Sequence, residues 1–235
     1  MAKKELSKKL WKTARRFILR VALFCFLYSI LSVILFRWLP VHYTPLMFIR
    51  YIENIDNGAY RNIREWKSID DISENMILAV IAAEDNLFMS HFGIDWDALK
   101  KAAAQNRIYG TRLGASTITQ QTAKNVYLLP SRTWSRKILE AYFSVLMEIF
   151  WSKKRIMEVY LNIIEVGDGL YGVETAAQTY FGKTAGELSV NEASQIASIL
   201  PNPRKFKIHS PTEELRKKQI RIRSSMRRIK RPVWE

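Results

Sequence analysis

Two acidic residues, a histidine and a glycine lie close together in the segment 84–93, which reads EDNLFMSHFG. Glu84 and Asp85 follow an apolar stretch at helical spacing, and His91 and Gly93 come shortly after them. Proton transfer from a substrate hydroxyl needs a positioned carboxylate whose environment differs from that of its neighbours. A solvated helix end followed by a capping histidine has the same pattern, so this segment by itself leaves both interpretations open.

Two further polar clusters include positive charges. Arg136, Lys137 and Glu140 are three and four residues apart, so on a helix their side chains share one face. Fixed cations of this kind can stabilise a departing phosphate, although an ordinary surface ion-pair cluster has the same spacing. The run STITQQ at 116–121, with Lys124 one turn further on, is either exposed to solvent or the wall of a ligand site.

Helices are predicted to carry all of these clusters. From residue 40 onward, apolar residues recur at helical spacing and strand-like alternation is scarce. Helix start signals occur at Thr44, Asp71 or Ser73, Ser116, Thr133, Ser152 and Ser189. The helix after Thr133 has an apolar stripe formed by Ile138, Leu139, Tyr142, Val145, Leu146, Ile149 and Phe150. The sequence therefore predicts one mainly α domain over residues 40–210, followed by a basic tail over residues 211–235.

The residues before this domain predict a membrane anchor. Residues 17–36 read FILRVALFCFLYSILSVILF, with Arg20 as the one charge, and as a helix they would be about 30 Å long, which matches the hydrocarbon core of a bilayer. The preceding segment 1–16 is basic, which predicts a cytoplasmic N-terminus and a body on the outer side. A cleaved signal peptide is the competing interpretation, but residues 36–40 offer no small-residue cleavage site. We therefore assign residues 17–39 to a retained transmembrane helix.

The net charge of +15 suggests nucleic-acid binding at first sight, but the distribution of the charged residues along the chain argues against it. Residues 1–20 carry a net charge of +7 and residues 204–235 carry +9, whereas the residues between them carry −1. A nucleic-acid-binding domain usually concentrates its basic residues on the folded body, among exposed aromatic side chains. We therefore expect no nucleic-acid partner. The single cysteine, Cys25, excludes a disulfide framework and a thiolate metal cluster.

Four motifs in a fixed order resemble those of the peptidoglycan glycosyltransferase family, the enzymes that polymerise the lipid-linked disaccharide precursor of the bacterial cell wall. The motifs are E-D-x-x-F-x-x-H-x-G at 84–93, G-x-S-T-I-T-Q-Q at 114–121, R-K-x-x-E at 136–140 and K-x-I-x-E-x-Y-L-N at 154–162. The resemblance covers about residues 45–210. Since the S-x-x-K, S-x-N and K-T-G set of a penicillin-binding domain is not found, the chain is similar to the monofunctional, membrane-anchored members. The resemblance implies a lysozyme-like helical domain with a small membrane-proximal lobe.

The resemblance also implies a reaction and a set of site residues. A sugar 4-hydroxyl attacks the anomeric carbon of a donor with inversion, and polyprenyl pyrophosphate leaves. Glu84 is the implied general base, and Glu140 is the second catalytic glutamate, which orients the neighbouring cations or shares a divalent ion, Mg²⁺ or Mn²⁺, with the phosphates. The sequence itself requires no cofactor and predicts no protein metal site. Substrate binding is implied for Asp85, Phe88, His91, Gly93, Ser116, Thr117, Gln120, Gln121, Lys124, Arg136, Lys137, Lys154, Glu158, Tyr160 and Asn162.

Several alternatives stay open at the level of sequence. Lys154 and Glu158 are four residues apart and also fit a simple surface ion pair. A lysozyme-like lytic enzyme would cleave the same polymer with one or two carboxylates, although it has no pyrophosphate to stabilise with Arg136, Lys137 and Lys124. A catalytically silent, membrane-anchored scaffold is the remaining alternative.

The resemblance and the predicted anchor together give the expected surroundings of the protein. The expected location is the bacterial inner membrane, with a single span, the N-terminus inside and the catalytic domain on the outer side. The expected partners are lipid II, the growing glycan strand, the membrane, and cell-wall synthesis and division proteins. The basic tail fits either contact with anionic lipid or precursor, or a solvated C-terminal helix.

Overall fold

Helices dominate both compact units of the chain, Met1–Leu39 and Pro40–Glu235. The computed structural model describes residues 2–53, 64–110, 114–131 and 133–234. Within these ranges the chain forms ten α-helices, two 3₁₀ helices and one two-stranded sheet. The mainly helical fold class predicted from the sequence is therefore confirmed.

The first unit consists largely of one helix, α1 (Ala2–Phe36). Its part Leu10–Phe36 is long and apolar enough to cross a membrane, and α1 is the one helix of the described residues that meets this test. Two serines within the apolar stretch bond to the helix itself: Ser29 Oγ donates to the Phe26 carbonyl and Ser32 Oγ to the Ser29 carbonyl, both at 2.7 Å. Because hydroxyls satisfied in this way need no water, α1 fits the role of a membrane anchor.

The second unit contains the other helices in the order in which the chain runs. They are α2 (Pro45–Glu53), α3 (Glu74–Glu84), α4 (Trp96–Tyr109), α5 (Ile118–Tyr127), α6 (Trp134–Phe150), α7 (Lys153–Ile163), α8 (Val173–Phe181), α9 (Val190–Ile199) and α10 (Glu213–Met226). The 3₁₀ helices are Ile69–Asp71 and Ala185–Glu187. A short antiparallel hairpin of β1 (Glu165–Gly167) and β2 (Leu170–Tyr171) connects α7 to α8.

Side-chain caps explain where most of these helices begin. Ser73, Thr133, Ser152 and Ser189 each accept a hydrogen bond from a backbone N–H of the first turn, as their positions in the sequence predict. The cap predicted at Ser116 is wrong by one residue. Thr117 caps α5 instead, in a reciprocal capping box with Gln120.

The core is built around α3, whose central residues are buried on every side. All six residues from Met76 to Ile81 are buried, because α3 packs against both α9 and α10. A helix that is apolar all round belongs in the interior, and this one ends at two carboxylates, Glu84 and Asp85. The fold therefore uses a helix of the core to place the acidic pair.

The helix α10 lies in the segment 211–235 and packs against the body. Leu215, Gln219, Ile222 and Met226 recur at helical spacing and are buried against α9 and α3. The basic residues of this helix therefore belong to the compact second unit.

The helix α6 buries a polar face. Its buried residues are Glu140, Ser144 and Met147, whereas Ile138 and Ile149 of the predicted apolar stripe are 69% and 58% exposed. α6 therefore presents carboxylates to the interior beside α5, and its apolar residues lie on the surface.

Candidate active site

Glu84 is the last residue of α3 and lies at a cleft of about 560 Å³. One carboxylate oxygen, Oε2, accepts a hydrogen bond from Gln121 Nε2 at 2.9 Å. The other oxygen, Oε1, is buried and has no hydrogen-bond partner among the described residues. A buried acceptor left unpaired carries a desolvation cost, so Oε1 is ready to accept a proton or hydrogen bond from a bound hydroxyl.

The surroundings of Glu84 strengthen it as a base. Burial raises the pKa of Glu84 above its ordinary value, because a buried carboxylate loses the water that stabilises its charge. The hydrogen bond from Gln121 and the positive charges of Lys218 and Lys124 oppose this rise, and the negative charge of Asp85 adds to it. The carboxylate is therefore more basic than a solvated glutamate and keeps cations near it that favour its ionised form.

Asp85 connects the turn after α3 to the start of α5. Its carboxylate lies 3.0 Å from His91 Nε2, and it accepts a hydrogen bond from the Ile118 backbone N–H at 3.0 Å. Phe88, between them in sequence, is fully buried. Asp85, Phe88 and His91 therefore hold the turn that begins at Glu84.

The end of the same turn is bonded to the cap of α5. Thr117 Oγ1 donates a hydrogen bond to the Gly93 carbonyl at 2.6 Å, while the same oxygen accepts from the Gln120 backbone N–H at 3.1 Å. Gln120 is buried, and its Oε1 accepts from the Thr117 backbone N–H at 3.1 Å. Gly93, Thr117 and Gln120 thus position the two segments, and Gln120 has no surface with which to meet a substrate directly.

Tyr160 fixes the orientation of the Gln121 amide. The Tyr160 hydroxyl donates to Gln121 Oε1 at 3.3 Å, and burial raises the pKa of Tyr160 well above its ordinary value. The phenol therefore stays protonated and can act as a donor. With Oε1 of the amide occupied in this way, its Nε2 group is directed toward Glu84.

Glu140 holds two cations together on α6. Its carboxylate accepts from Arg136 and from Lys137, with Lys137 Nζ at 2.5 Å from Oε1. Only 3% of the Glu140 side chain is exposed, whereas the side chains of Arg136 and Lys137 are partly open to solvent. Lys137 Nζ also donates to Ser116 Oγ at 3.0 Å. The cluster thus presents two oriented positive groups, a geometry suited to binding phosphate oxygens.

Lys124 connects the two glutamates. Burial lowers the pKa of Lys124, while the negative charges of Glu140 and Glu84 raise it and so favour its charged form. Ser116, which bonds to Lys137, lines the same cleft as Glu84. Ser116 therefore links the cation group on α6 to the edge of the cleft at Glu84.

Three of the predicted binding residues lie in a different cluster, on α7. Lys154 is exposed and pairs with Asp70 at 2.7 Å. Glu158 pairs with Arg155 and accepts from the Ile69 backbone N–H at 3.2 Å, so the alternative of a simple Lys154–Glu158 pair is wrong.

Asn162 completes this second cluster. Its side chain is buried and bonds to the backbone of Lys67, with Oδ1 accepting from the N–H and Nδ2 donating to the carbonyl, both at 2.8 Å. Together, the three α7 residues hold the segment 67–70 against the helix. The described contacts do not bring Lys154, Glu158 or Asn162 to the cleft at Glu84.

Sequence reasoning missed one cation near Glu84 and one part-buried ion pair. Lys218 on α10 is close enough for its charge to lower the pKa of Glu84, and its Nζ donates to the Ser198 carbonyl at 3.2 Å. The helical period of the buried residues on α10 was the signal that could have found it. Glu148 and Lys153 pair at 2.7 Å beneath the turn 85–93. The sequence gives no signal for this pair, because charged residues near a helix end are usually solvated.

The donor set beside Glu140 does not fit a divalent cation. Both oxygens of the carboxylate already accept from cations. Within the described ranges, no three His, Cys, Asp or Glu residues group in a way that could hold a metal ion. We therefore derive no step through Mg²⁺ or Mn²⁺, and a divalent ion on the phosphates stays a prediction.

A buried carboxylate base, with a set of oriented cations linked to its cleft through Ser116, suits an enzyme that transfers a group from a phosphate-bearing donor. Comparison with known proteins gives the family. The sequence profile described as Transglycosylase matches residues 50–227. The chain belongs to the transglycosylase family.

Relatives of similar length support this assignment. A biosynthetic peptidoglycan transglycosylase of Bdellovibrio bacteriovorus is 47% identical over 213 residues, covering 90% of this chain and 85% of the relative. Proteins of the same name from Bacteroides thetaiotaomicron and Stutzerimonas stutzeri are 45% and 43% identical, covering 92% and 86% of this chain and 86% and 84% of their own lengths.

Proposed function

We propose that this transglycosylase polymerises lipid II into glycan strands, with Glu84 as the general base and polyprenyl pyrophosphate as the leaving group. Membership of the family makes the protein a peptidoglycan glycosyltransferase of cell-wall synthesis. The proposal concerns which residues of this chain perform the transfer and how.

The unpaired oxygen of Glu84 is the observation that carries the proposal. Oε1 is buried and unpaired within the described residues, while Oε2 is held by Gln121, so a fixed carboxylate at the cleft keeps one acceptor for a bound hydroxyl. The 4-hydroxyl of the acceptor sugar would give its proton to Oε1 as its oxygen bonds to the anomeric carbon of the donor. A base positioned in this way typically contributes about a hundredfold to ten-thousandfold in rate.

The cation group takes the charge that leaves with the pyrophosphate. Arg136 and Lys137, oriented by Glu140, would contact the phosphate oxygens as the bond to the anomeric carbon breaks. Lys124 is close enough for the charges of both Glu140 and Glu84 to act on its pKa. As Glu84 becomes neutral on accepting the proton, the positive charge of Lys124 has one fewer carboxylate to balance and is free to stabilise the departing anion.

The surface of α6 supports a membrane-proximal position for the cation group. Trp134, Ile138 and Ile149 are 86%, 69% and 58% exposed on the helix that carries Arg136 and Lys137. Exposed apolar residues beside cations suit a bilayer surface, where tails cover the apolar groups and phosphates meet the charges. A substrate with a polyprenyl tail is confined to the same surface.

The proposed location follows from the anchor and from the chemistry. The basic residues before the span favour a cytoplasmic N-terminus in the inner membrane, which places the catalytic domain on the outer side. The proposed partners are lipid II, the growing glycan strand and the membrane. Contacts with cell-wall synthesis or division proteins rest on the resemblance alone.

The decisive experiment compares Glu84→Gln with the native chain. Full-length protein in detergent is incubated with lipid II, and polymer formation and lipid II binding are measured separately. Gln keeps the shape of the side chain but cannot take the proton, so we expect turnover to fall by at least about a hundredfold while binding changes less than about threefold.

The control is Glu213→Gln, which neutralises an exposed carboxylate on α10 and should leave turnover unchanged. Turnover of Glu84→Gln close to that of this control would overturn the assignment of the base. If the native chain releases fragments from added glycan without polymer growth, it is a lytic enzyme. If it carries out neither reaction, it is a scaffold.

A further inference from the structure

A part-buried ion pair lies beneath the turn that follows Glu84, and the proposed mechanism does not use it. Lys153 is the first residue of α7 and Glu148 lies in the last turn of α6, with Lys153 Nζ 2.7 Å from Glu148 Oε1. Lys153 Nζ also donates to the His91 carbonyl at 2.8 Å and lies 4.6 Å from the centre of the Phe88 ring. The ammonium group therefore contacts the turn at two points, one of which is main chain.

Glu148 supports this ammonium group from a fixed place. Its Oε1 also accepts from Thr119 Oγ1 in α5 at 2.7 Å, and only 4% of its side chain is exposed. Gly93 packs so closely above it that a Cβ atom there would lie 3.0 Å from Glu148 Cγ. Glu148 thus contacts α5, Lys153 and the end of the turn, which leaves the carboxylate little freedom to move.

The path from Lys153 to Glu84 runs through His91 and Asp85. The His91 ring lies 3.0 Å from the Asp85 carboxylate through Nε2, and its other nitrogen, Nδ1, is buried without a partner among the described residues. Among the described residues, Asp85 is thus the one hydrogen-bond partner of the ring, which also makes an edge contact with the Phe88 ring. Lys153 bonds to the main-chain carbonyl of His91 and lies over Phe88, so it supports the ring from both sides.

We infer that Lys153, held by Glu148, is a positioning residue for Glu84. By fixing the His91 carbonyl and the Phe88 ring, it sets the place of the imidazole that orients Asp85, and so the orientation of the neighbouring Glu84 carboxylate. The inference rests on the proposed role of Glu84 as the base. Lys153 acts through the turn and touches neither substrate nor reacting atoms.

The test uses Lys153→Met, which keeps a long apolar side chain against Phe88 and removes the bond to the His91 carbonyl. Steady-state polymerisation of lipid II by the full-length protein gives kcat and KM. Displacing a catalytic group by about 1 Å costs about a hundredfold in rate, so we expect kcat to fall about a hundredfold. KM should stay within about threefold, because Arg136, Lys137 and Lys124 are untouched.

A double variant separates this role from simple destabilisation. Lys153→Met alone leaves Glu148 as a buried, unpaired charge, whereas Glu148→Gln with Lys153→Met removes that charge and keeps an acceptor for Thr119. We expect the double variant to melt near the native temperature but to retain the hundredfold loss in kcat. Lys183→Met, which breaks a more exposed lysine–glutamate pair with Glu192, is the matched control and should leave kcat and KM unchanged.

Recovery of native kcat in the double variant would overturn the inference, as would native kcat in Lys153→Met or a loss confined to KM. The same series includes Glu84→Gln. If that variant polymerises lipid II, the assignment of the base fails. If it is inactive while both Lys153 variants turn over at the native rate, the base assignment stands and the positioning role alone fails.

Discussion

Replacing Gly93 by alanine tests whether the packing under the turn sets the activity. Gly93 has a positive φ of +75°, which side chains rarely adopt. An added Cβ would lie 3.0 Å from Glu148 Cγ and 3.2 Å from the Ser144 carbonyl oxygen, so it would push the turn away from α6. Gly182 offers a matched control, because it has a φ of +64° but nothing within 4 Å of an added Cβ.

The two substitutions share one cost and differ in the other. The left-handed backbone costs alanine about 1 kcal/mol at either position. At Gly93 the contact with α6 adds about 1 to 3 kcal/mol, the usual effect of overpacking a filled site. A domain of this size loses about 2 to 4 °C in melting temperature per kcal/mol. We therefore expect a loss of about 2 to 4 °C for Gly182→Ala and about 4 to 16 °C for Gly93→Ala.

The assay pairs thermal unfolding in detergent with polymerisation of lipid II below the transition. Gly182→Ala should keep native kcat, because it lies at the C-terminal cap of α8. Gly93→Ala should lose about a hundredfold in kcat, because the displaced turn carries Asp85 and its last residue, Gly93, accepts a hydrogen bond from the helix cap Thr117. Equal melting temperatures and equal rates for the two variants would refute the reasoning.

Two further predictions concern the base and the topology. Activity needs ionised Glu84, so kcat/KM should fall as the pH drops through the pKa of Glu84. The charge of Lys218 lowers that pKa. Lys218→Met should therefore move this fall in kcat/KM to higher pH. A fall that does not move would count against a role for Lys218. Single cysteines are placed in a Cys25→Ser background, and spheroplasts are treated with a membrane-impermeant thiol reagent. The Ser210→Cys variant should be labelled in intact spheroplasts, whereas the Ser7→Cys variant should be labelled only after lysis. The reverse labelling would contradict the proposed orientation.

Local signals in the sequence were sufficient where structure depends on neighbouring residues. Ser73, Thr133 and Ser152 cap the helices at the positions that the pattern predicts. The motif residues Glu84 and Glu140 could be named because they stand at fixed spacings within two recognisable motifs. The misplaced cap at Ser116 differs by one residue. The capping-box spacing Thr117-x-x-Gln120 was the local signal that favours Thr117, and Ser116 instead bonds to Lys137.

Tertiary context decided what the pattern could not. The sequence predicted an apolar stripe on α6 that includes Ile138 and Ile149, and the structure buries the face that carries Glu140 and Ser144 instead. Hydrophobic periodicity identifies a helix and its two faces. It does not say which face is inside when the interior must hold charged groups and the exterior suits lipid.

The motif in α7 illustrates the same limit at the level of one residue. The spacing K-x-I-x-E pointed to Lys154, but the neighbouring Lys153 is the less exposed of the two lysines and the one that bonds to the turn after Glu84. Successive residues on a helix point about 100° apart, so a motif read one position away selects a different surface. Which lysine is the more buried depends on where Glu148 and the His91 carbonyl lie. Both groups lie outside the motif, so the spacing within the motif does not indicate which lysine meets them.

The burial of Glu84 joins stability to chemistry. A carboxylate whose pKa is raised in the folded state destabilises that state once the pH exceeds its pKa in the unfolded chain, because folding then buries a charge. The apolar core around α3 and the bonds made by Asp85 and Gln121 must offset this cost. Full solvation of Glu84 would remove the cost, but it would also return the base to its ordinary strength. Glu84→Gln should therefore melt no lower than the native chain while losing its turnover, which is the signature of a residue kept for reaction at the expense of stability.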